Sequence, residues 1–402
     1  MIPHPPPLSL YVHIPWCVRK CPYCDFNSHE QRGEIPEREY VTALVADLEA
    51  SLPDVWGRRV TSIFIGGGTP SLFKPSSLDH LITAIRTRIP VNAEAEITME
   101  ANPGTFEAER FRGYQEAGVN RLSIGVQSFD DAKLAAIGRI HGGDEARRAV
   151  ESALEIFGNV NVDLMYALPG QSAEESAADI REAIERGAPH ISAYHLTLEP
   201  GTPFHRNPPT VPDHDRAADM QDALEWSFAH AGYEHYETSA FAKAGFRSRH
   251  NLNYWNFGDY LGIGAGAHAK ITSLQKVRRE MRIRQPEAYM RASLSGKPMR
   301  EAREVDEAEL PFEFMLNALR LVEGFPVALF TERTGLPILA VDAQMNEAQG
   351  LGLIERDHEW IRPTAKGRRF LNELLERFIP GDAPARAVIP IATKPSTGPR
   401  AS

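Results

Sequence analysis

The sequence predicts an α/β protein built on a parallel sheet, with a small mixed domain at its C-terminal end. Three observations predict it. Short apolar runs alternate with helix-spaced segments through the first ~270 residues, the pattern of repeated βα units. Polar and glycine-rich clusters recur just after those runs, where βα folds carry their functional loops. From about residue 300 the order changes to helices, a hairpin and a helix.

The strand candidates are Leu8–Ile14, Val60–Ile65, Ala95–Glu100, Arg121–Val126, Asn159–Leu168, His190–Thr197 and Glu234–Phe241. The helical segments between them are Tyr40–Leu52, Leu78–Arg88, Ala108–Ala117, Glu145–Phe157, Ala173–Arg186 and Arg216–Ala231. Periodicity alone leaves open whether these units form a doubly wound sheet or a partly closed barrel. The C-terminal helices are expected at Glu307–Leu321 and Leu336–Gly350, the strand-turn-strand at Leu353–Ile361, and a last helix at Ala365–Phe378. That order suggests a winged-helix-like domain. The expected division is a barrel over 1–270, a connecting segment over 271–305, the small domain over 306–380 and a disordered tail over 381–402, rich in Pro and Ala.

The 402 residues are 42% apolar and 24% charged, ordinary for a globular protein. No apolar run reaches the ~18–20 residues of a membrane span, and the N-terminus lacks the pattern of a signal peptide. A cytoplasmic protein is the expectation. The net charge of −10 argues against a nucleic-acid partner. A basic run over 276–300, with Arg279, Arg282 and Arg284 among its members, reads as a solvated face; the alternative is a contact for an acidic partner.

All three cysteines, Cys17, Cys21 and Cys24, fall within eight residues, in Trp16-Cys17-Val-Arg-Lys-Cys21-Pro-Tyr23-Cys24-Asp-Phe26. An odd, clustered set is not a disulfide framework. A redox pair would leave one thiol idle, whereas one metal site uses all three. Three thiolates hold a cubane cluster with one iron left open. A zinc site completed by a distant His is the competing reading, but no second short ligand pair appears.

The other motifs supply polar groups at strand ends. Gly66-Gly67-Gly68-Thr69 leaves its main chain open to close approach; a tight turn is the plainer reading. Glu100, Gln127, Arg139 and Asp163 lie at or near strand ends, where a carboxylate suits ribose hydroxyls and Arg suits a carboxylate. Each alone reads as a capping residue; together they suggest a ligand site. Gly262-Ile-Gly264-Ala-Gly266 lacks the context of a dinucleotide fingerprint and reads as a tight packing turn.

The cysteine spacing after the first strand resembles the radical SAM superfamily. That resemblance implies a partial (βα)6 barrel, a [4Fe-4S] cluster on Cys17, Cys21 and Cys24, and S-adenosylmethionine (SAM) chelated to the open iron and cleaved to a deoxyadenosyl radical. It also implies SAM contacts at Tyr11, Tyr23, Gly67, Gly68, Thr69, Glu100, Gln127, Arg139 and Asp163. The runs Tyr11-Val-His13-Ile-Pro15-Trp16-Cys17, Glu100-Ala-Asn102-Pro-Gly104, Arg121-Leu-Ser-Ile-Gly-Val-Gln127 and Asp163-Leu-Met-Tyr-Ala-Leu-Pro-Gly-Gln171 are similar to the oxygen-independent coproporphyrinogen III oxidase group. Within it, the dehydrogenases called HemN carry a further cysteine two residues after the third, where this chain has Phe26, and an extension ahead of the cluster. The segment His250-Asn251-Leu-Asn253-Tyr254-Trp255 resembles the HNxxYW motif of the HemW branch, the heme chaperones.

That closer resemblance implies heme as cargo at His250, Asn251, Tyr254 and Trp255, with His195 and His268 as rival ligands. It implies a membrane respiratory hemoprotein as acceptor, a heme or iron donor protein as partner, and admits a homodimer. Radical decarboxylation of coproporphyrinogen III, or another radical SAM reaction such as methyl transfer, is the enzymatic alternative.

Overall fold

A computed structural model describes residues 2, 4–104 and 107–380. Its centre is a twelve-stranded sheet. Strand β1 (Leu8–Ile14) is bounded by Pro7 and Pro15, which cannot donate to a ladder. It is followed by β2 (Val60–Gly67), β3 (Val91–Ala101), β4 (Arg121–Gln127), β5 (Val160–Tyr166) and β6 (His190–His195). These six lie side by side in chain order, every neighbouring pair parallel. Sequential order is that of a barrel rather than of a doubly wound sheet, whose order reverses.

The helices between them are α1 (Glu37–Ser51), α2 (Pro75–Arg88), α3 (Glu107–Glu116), α4 (Gly143–Phe157) and α5 (Ala173–Glu185), with α6 (His214–His230) after β6. The α2 helix begins three residues before the expected Leu78, because its first turn, Pro75-Ser-Ser, is polar and carries no apolar period. Leu8, Leu10, Val12 and Ile14 of β1 pack into the main hydrophobic core with α1 and α2 residues such as Leu44, Leu81 and Ile85. Fully burying each such side chain contributes about 1.5–3 kcal/mol. Alternate residues, Ser9, Tyr11 and His13, project from the opposite face of β1, into the barrel.

The expected single strand Glu234–Phe241 is a hairpin: β7 (Glu234–Glu237) and β8 (Ala240–Ala242), with β8 antiparallel to β6. Helix α7 (Arg249–Trp255) then packs on the N-terminal halves of β1 and β2. Strand β9 (Asp259–Ile263) joins β1 in parallel. Beyond it β10 (His268–Thr272), β11 (Val277–Arg282) and β12 (Met299–Glu304) continue the sheet antiparallel, with α8 (Pro286–Leu294) before β12. Residues 271–305, expected to connect, thus extend the sheet itself.

The basic run there is not a solvated face throughout. Arg282 is wholly buried and pairs with Asp47 of α1 at 2.8 Å and with Glu280 at 2.8 Å. Arg279 pairs with Glu313 and donates to Tyr260. Asp47 and Glu313 come from distant parts of the chain, so the run's own composition did not reveal them.

The C-terminal unit comprises α9 (Leu310–Ala318), β13 (Phe325–Pro326), α10 (Val327–Thr334), α11 (Asp342–Gly350), β14 (Ile354–Arg356) and β15 (Trp360–Pro363), then two short helices at Ala365–Arg369 and Leu371–Glu376. Its sheet runs β13-β15-β14, a winged-helix-like layout over its own apolar core. Helix α10 was not expected from sequence. The chain after α9 pairs with the β7–β8 hairpin, with Arg320 and Tyr236 carbonyls accepting from Thr238 and Val322. The expected tail over 381–402 lies outside the described residues. No helix among the described residues is long and apolar enough to cross a membrane.

Candidate functional site

The cysteine loop leaves β1 at Pro15 and folds back on itself. Trp16–Cys17 pairs with His29–Glu30, and the Pro15 and Cys17 carbonyls accept from His29 and Gln31. His13 anchors the loop's far side. Its Nε2 lies 2.9 Å from the Asn27 carbonyl and its Nδ1 2.9 Å from the Tyr11 hydroxyl. A carbonyl only accepts, so Nε2 carries the ring hydrogen and Tyr11 donates to Nδ1. Burial holds His13 neutral, with its pKa lowered to about 4.

The glycines after β2 let this loop seat. A Cβ on Gly68 would stand 2.4 Å from the Trp16 carbonyl oxygen, and Gly67, at φ +122°, would meet the His13 ring. The close approach is made by the protein's own groups, which sharpens the expectation of an open main chain. The Gly-rich turn after β9 does the same from the other side: a Cβ on Gly264 would stand 2.4 Å from the His13 carbonyl oxygen, and one on Gly266 2.4 Å from Asn27 Nδ2. It is a packing turn, as expected.

Cys17, Cys21, Tyr23, Cys24, Gly67, Gly68, Thr69, Glu100, Gln127, Arg139 and Asp163 all line one cavity of about 280 Å³. Tyr11 does not line it; its hydroxyl is held by His13 and its ring stacks on Phe64. Glu100 accepts from the Gly67 N–H at 2.9 Å. Burial pushes its pKa up to about 8, against the pull of that hydrogen bond and with repulsion from Asp163 adding to the rise. Asp163 is raised too, chiefly by burial, although Asn161 and Ser123 donate to it. Gln127 has φ 69°, strained for a residue with a side chain, at an irregularity in the β4–β5 pairing.

Arg139 links the loop to the barrel. Its Nη1 lies 3.8 Å from Cys21 Sγ, and its Nη2 donates to Asn102 Oδ1 at 2.7 Å and the Gly125 carbonyl at 2.6 Å. Asn102 in turn donates to Thr69 Oγ1. Sequence reasoning quoted the Asn102 motif but passed over the residue; its place beside Glu100 at a strand end was the available signal. Met165 and Tyr194 line the cavity as well.

The donor set fits a cluster better than a single ion. Among the described residues no three His, Cys, Asp or Glu side chains converge as one metal ion requires. The chain has only three cysteines, and all face the same cavity. Thiols spread round a cavity suit an iron–sulfur body rather than a lone tetrahedral zinc.

His250, Asn251, Tyr254 and Trp255 lie elsewhere, on α7 at the barrel floor. The Glu96 carboxylate caps the helix, accepting from the Arg249 and His250 N–H groups at 3.0 and 3.1 Å. Asn253 donates to Ser9 Oγ, which lies 2.8 Å from Ser62 Oγ, itself 3.0 Å from His250 Nδ1. His250 is 1% exposed, its ring lies between Phe64 and Tyr254, and its Nε2 has no hydrogen-bond partner. Burial, then the Arg121 charge, lowers its pKa to about 3. His195 and His268 are exposed. The four motif residues are thus brought together on one helix but not with the cysteine loop.

The Radical SAM superfamily model matches residues 11–183 and the HemN C-terminal domain model residues 305–370. Heme chaperone HemW of Escherichia coli is 48% identical over 93% of this chain and 98% of its own. The mouse protein named radical S-adenosyl methionine domain-containing protein 1, mitochondrial, is 34% identical over 92% of this chain and 87% of its own. Among solved structures, the E. coli coproporphyrinogen III oxidase HemN, described as a radical SAM enzyme, superposes with a TM-score of 0.79 over 93% of this chain and 90% of that one, at 23% identity.

Proposed function

The chain belongs to the HemW family of radical SAM proteins, and from that premise we propose that it is a heme chaperone, holding a cluster and SAM and passing heme to a membrane hemoprotein of the respiratory chain. The observation that carries this reading is the 48% identity, along nearly the whole of both chains, to a protein named heme chaperone. Cys17, Cys21 and Cys24 would hold the cluster. Glu100 and Asp163 would take hydroxyls of SAM, and Arg139 its carboxylate, with Tyr23, Gly67, Gly68, Thr69 and Gln127 completing the wall. Tyr11 acts through His13, since its hydroxyl is spent there. The cluster, when bound, supplies an open iron and one-electron reducing power.

The protein's own part is to fix and shield. Arg139 holds Cys21 and the β4 end in one frame, and the His13–Asn27 bond closes the loop over the barrel. Phe26, 59% exposed at the cavity lip, adds no fourth thiol. Heme would sit at the floor against Tyr254 and Trp255. Ligation by His250 Nε2 requires Nδ1–H to donate to Ser62 and α7 to shift, because the ring is enclosed.

The test is a heme titration of the reconstituted protein by absorbance, alongside an anaerobic assay for protoporphyrinogen. Heme binding without turnover is the expected result. Robust turnover would replace this reading with that of the oxidase. Unchanged heme spectra in His250→Ala would remove His250 as ligand.

A further inference from the structure

A line of hydrogen bonds runs through the barrel from Ser248, the cap of α7, to Asp163 in the cavity wall. The strand register builds its middle. Asn161 of β5 stands opposite His190 of β6 and Ser123 of β4, and Asp163 stands opposite Ser192. These residues occupy alternate strand positions and so share the inner face of the sheet. Ser123, Asn161, His190, Ser192, Tyr236 and Ser248 are all buried.

Each link has one direction. Asn161 Nδ2 donates to Asp163 Oδ1 at 2.8 Å and to Ser123 Oγ at 2.7 Å, and Ser123 donates to Asp163 Oδ2 at 2.9 Å. The Asn161 oxygen faces the other way, 2.6 Å from His190 Nδ1. An amide oxygen only accepts, so Nδ1 carries the ring hydrogen. Burial, then the Arg121 charge, holds His190 neutral, so it has no second N–H. Its Nε2 accepts from the Tyr236 hydroxyl at 2.7 Å, and that hydroxyl accepts from the Ser248 N–H at 3.3 Å. Every hydrogen in the line points toward Asp163, an arrangement in which each bond strengthens the next.

The line fixes the Asn161 amide. A flip would set its oxygen against the Asp163 carboxylate and its NH2 group against the His190 N–H. Ser192 also donates to the Asn161 oxygen, at 3.0 Å, but a hydroxyl can turn and accept. His190 cannot, because Tyr236 occupies its other nitrogen. With the amide fixed, each oxygen of Asp163 has one donor from inside the protein and keeps its remaining acceptor site for the cavity.

We infer that His190 is a positioning residue for SAM: its Nδ1–H locks Asn161, which holds the Asp163 carboxylate in the direction that receives the ribose hydroxyls. The inference rests on the reading that Asp163 takes hydroxyls of SAM.

The experiment is calorimetry on the reconstituted full chain with SAM and with the analogue of SAM whose ribose lacks both hydroxyls. The wild type is expected to prefer SAM by about tenfold. His190→Leu is expected to lose about threefold of that preference, the scale of one fixed hydrogen bond, with affinity for the analogue unchanged. His190→Asn, whose amide donates from near the Nδ1 position, should recover most of the preference. If His190→Leu fails to fold, Tyr236→Phe decides: it keeps the ring, removes the hydroxyl that fixes the tautomer, and should lose preference in the same direction by less. A full preference in the folded variant, an equal loss for both ligands, or no recovery in His190→Asn assigns His190 to packing alone and overturns the inference, leaving the SAM reading standing. A wild type that binds both ligands equally removes Asp163 as holder of the hydroxyls, and the inference with it.

Discussion

Arg139 Nη1 lies 3.8 Å from Cys21 Sγ while Nη2 of the same guanidinium is shared between Asn102 Oδ1 and the Gly125 carbonyl. One planar fork thus spans the cysteine loop, the end of β3 and the strand β4. Lysine offers a point charge on a flexible stem and does not reproduce three fixed directions. Arg139→Lys is expected to fold but to lose about tenfold in SAM affinity, measured by calorimetry on reconstituted protein. Asn102→Ala should shift affinity the same way by less, since it removes one of the three bonds. Wild-type affinity in Arg139→Lys would remove the fork from the site.

Glu100 has the clearest pH signature. Its folded pKa, about 8, lies above the ordinary 4.5 because burial disfavours the charge. Between those values the folded state holds a proton that the unfolded state has released, so stability falls as pH rises. The fall is at most about 1.4 kcal/mol per pH unit, less where cavity water reaches the carboxyl. Glu100→Gln carries no such proton. In the cofactor-free protein, urea unfolding should show the variant gaining on the wild type from pH 5 to pH 8 and levelling above. A constant difference across that range would put the Glu100 pKa in the ordinary range.

Gly68 tests how tightly the loop is seated. The added methyl of Gly68→Ala would stand 2.4 Å from the Trp16 carbonyl oxygen and 3.0 Å from Cys17 Sγ. Backbone does not yield as a flexible side chain does, so the loop must move. We expect a loss of about 1–3 kcal/mol and iron and sulfide contents well below the wild type after reconstitution. Gly350→Ala, at the end of α11, where no described atom lies within 4 Å of the new Cβ, is the control.

The barrel strands were legible because a buried parallel strand writes its boundaries locally. Leu8–Ile14 is an apolar run between two prolines, and its span came out unchanged. The cavity residues were legible mainly through the motifs that carry the family resemblance; Asp163 lies within β5, and Asn102, Met165 and Tyr194 were passed over. Three further features were not legible. The turn of the β7–β8 hairpin, Thr238-Ser239, has no Gly, Asn or Pro to mark it. Strand β11, Val-Arg-Arg-Glu-Met-Arg, reads as a charged surface because, besides its own Glu280, the acids that neutralise it sit in α1 and α9. The enclosure of His250 depends on Ser62 and Glu96, more than 150 residues away in the chain.

The Arg282–Asp47 pair is the sharpest case of such hidden contacts, and it makes the last prediction. Both side chains are fully buried. Asp47 also accepts from the Tyr289 hydroxyl, and Arg282 donates to Ser51 and Glu280. The network ties α1 to β11 and α8, so it braces the sheet's antiparallel extension against the barrel. Removing Arg282 leaves Asp47 buried without its counterion, which costs about 3–5 kcal/mol, whereas removing Asp47 leaves Arg282 its pair with Glu280 and costs less. Arg282→Met should lower the urea midpoint strongly and Asp47→Leu by less. The double variant should lose less than the two singles together, because the second substitution removes the charge that the first stranded. Additive losses would mean that the two side chains do not act as a pair.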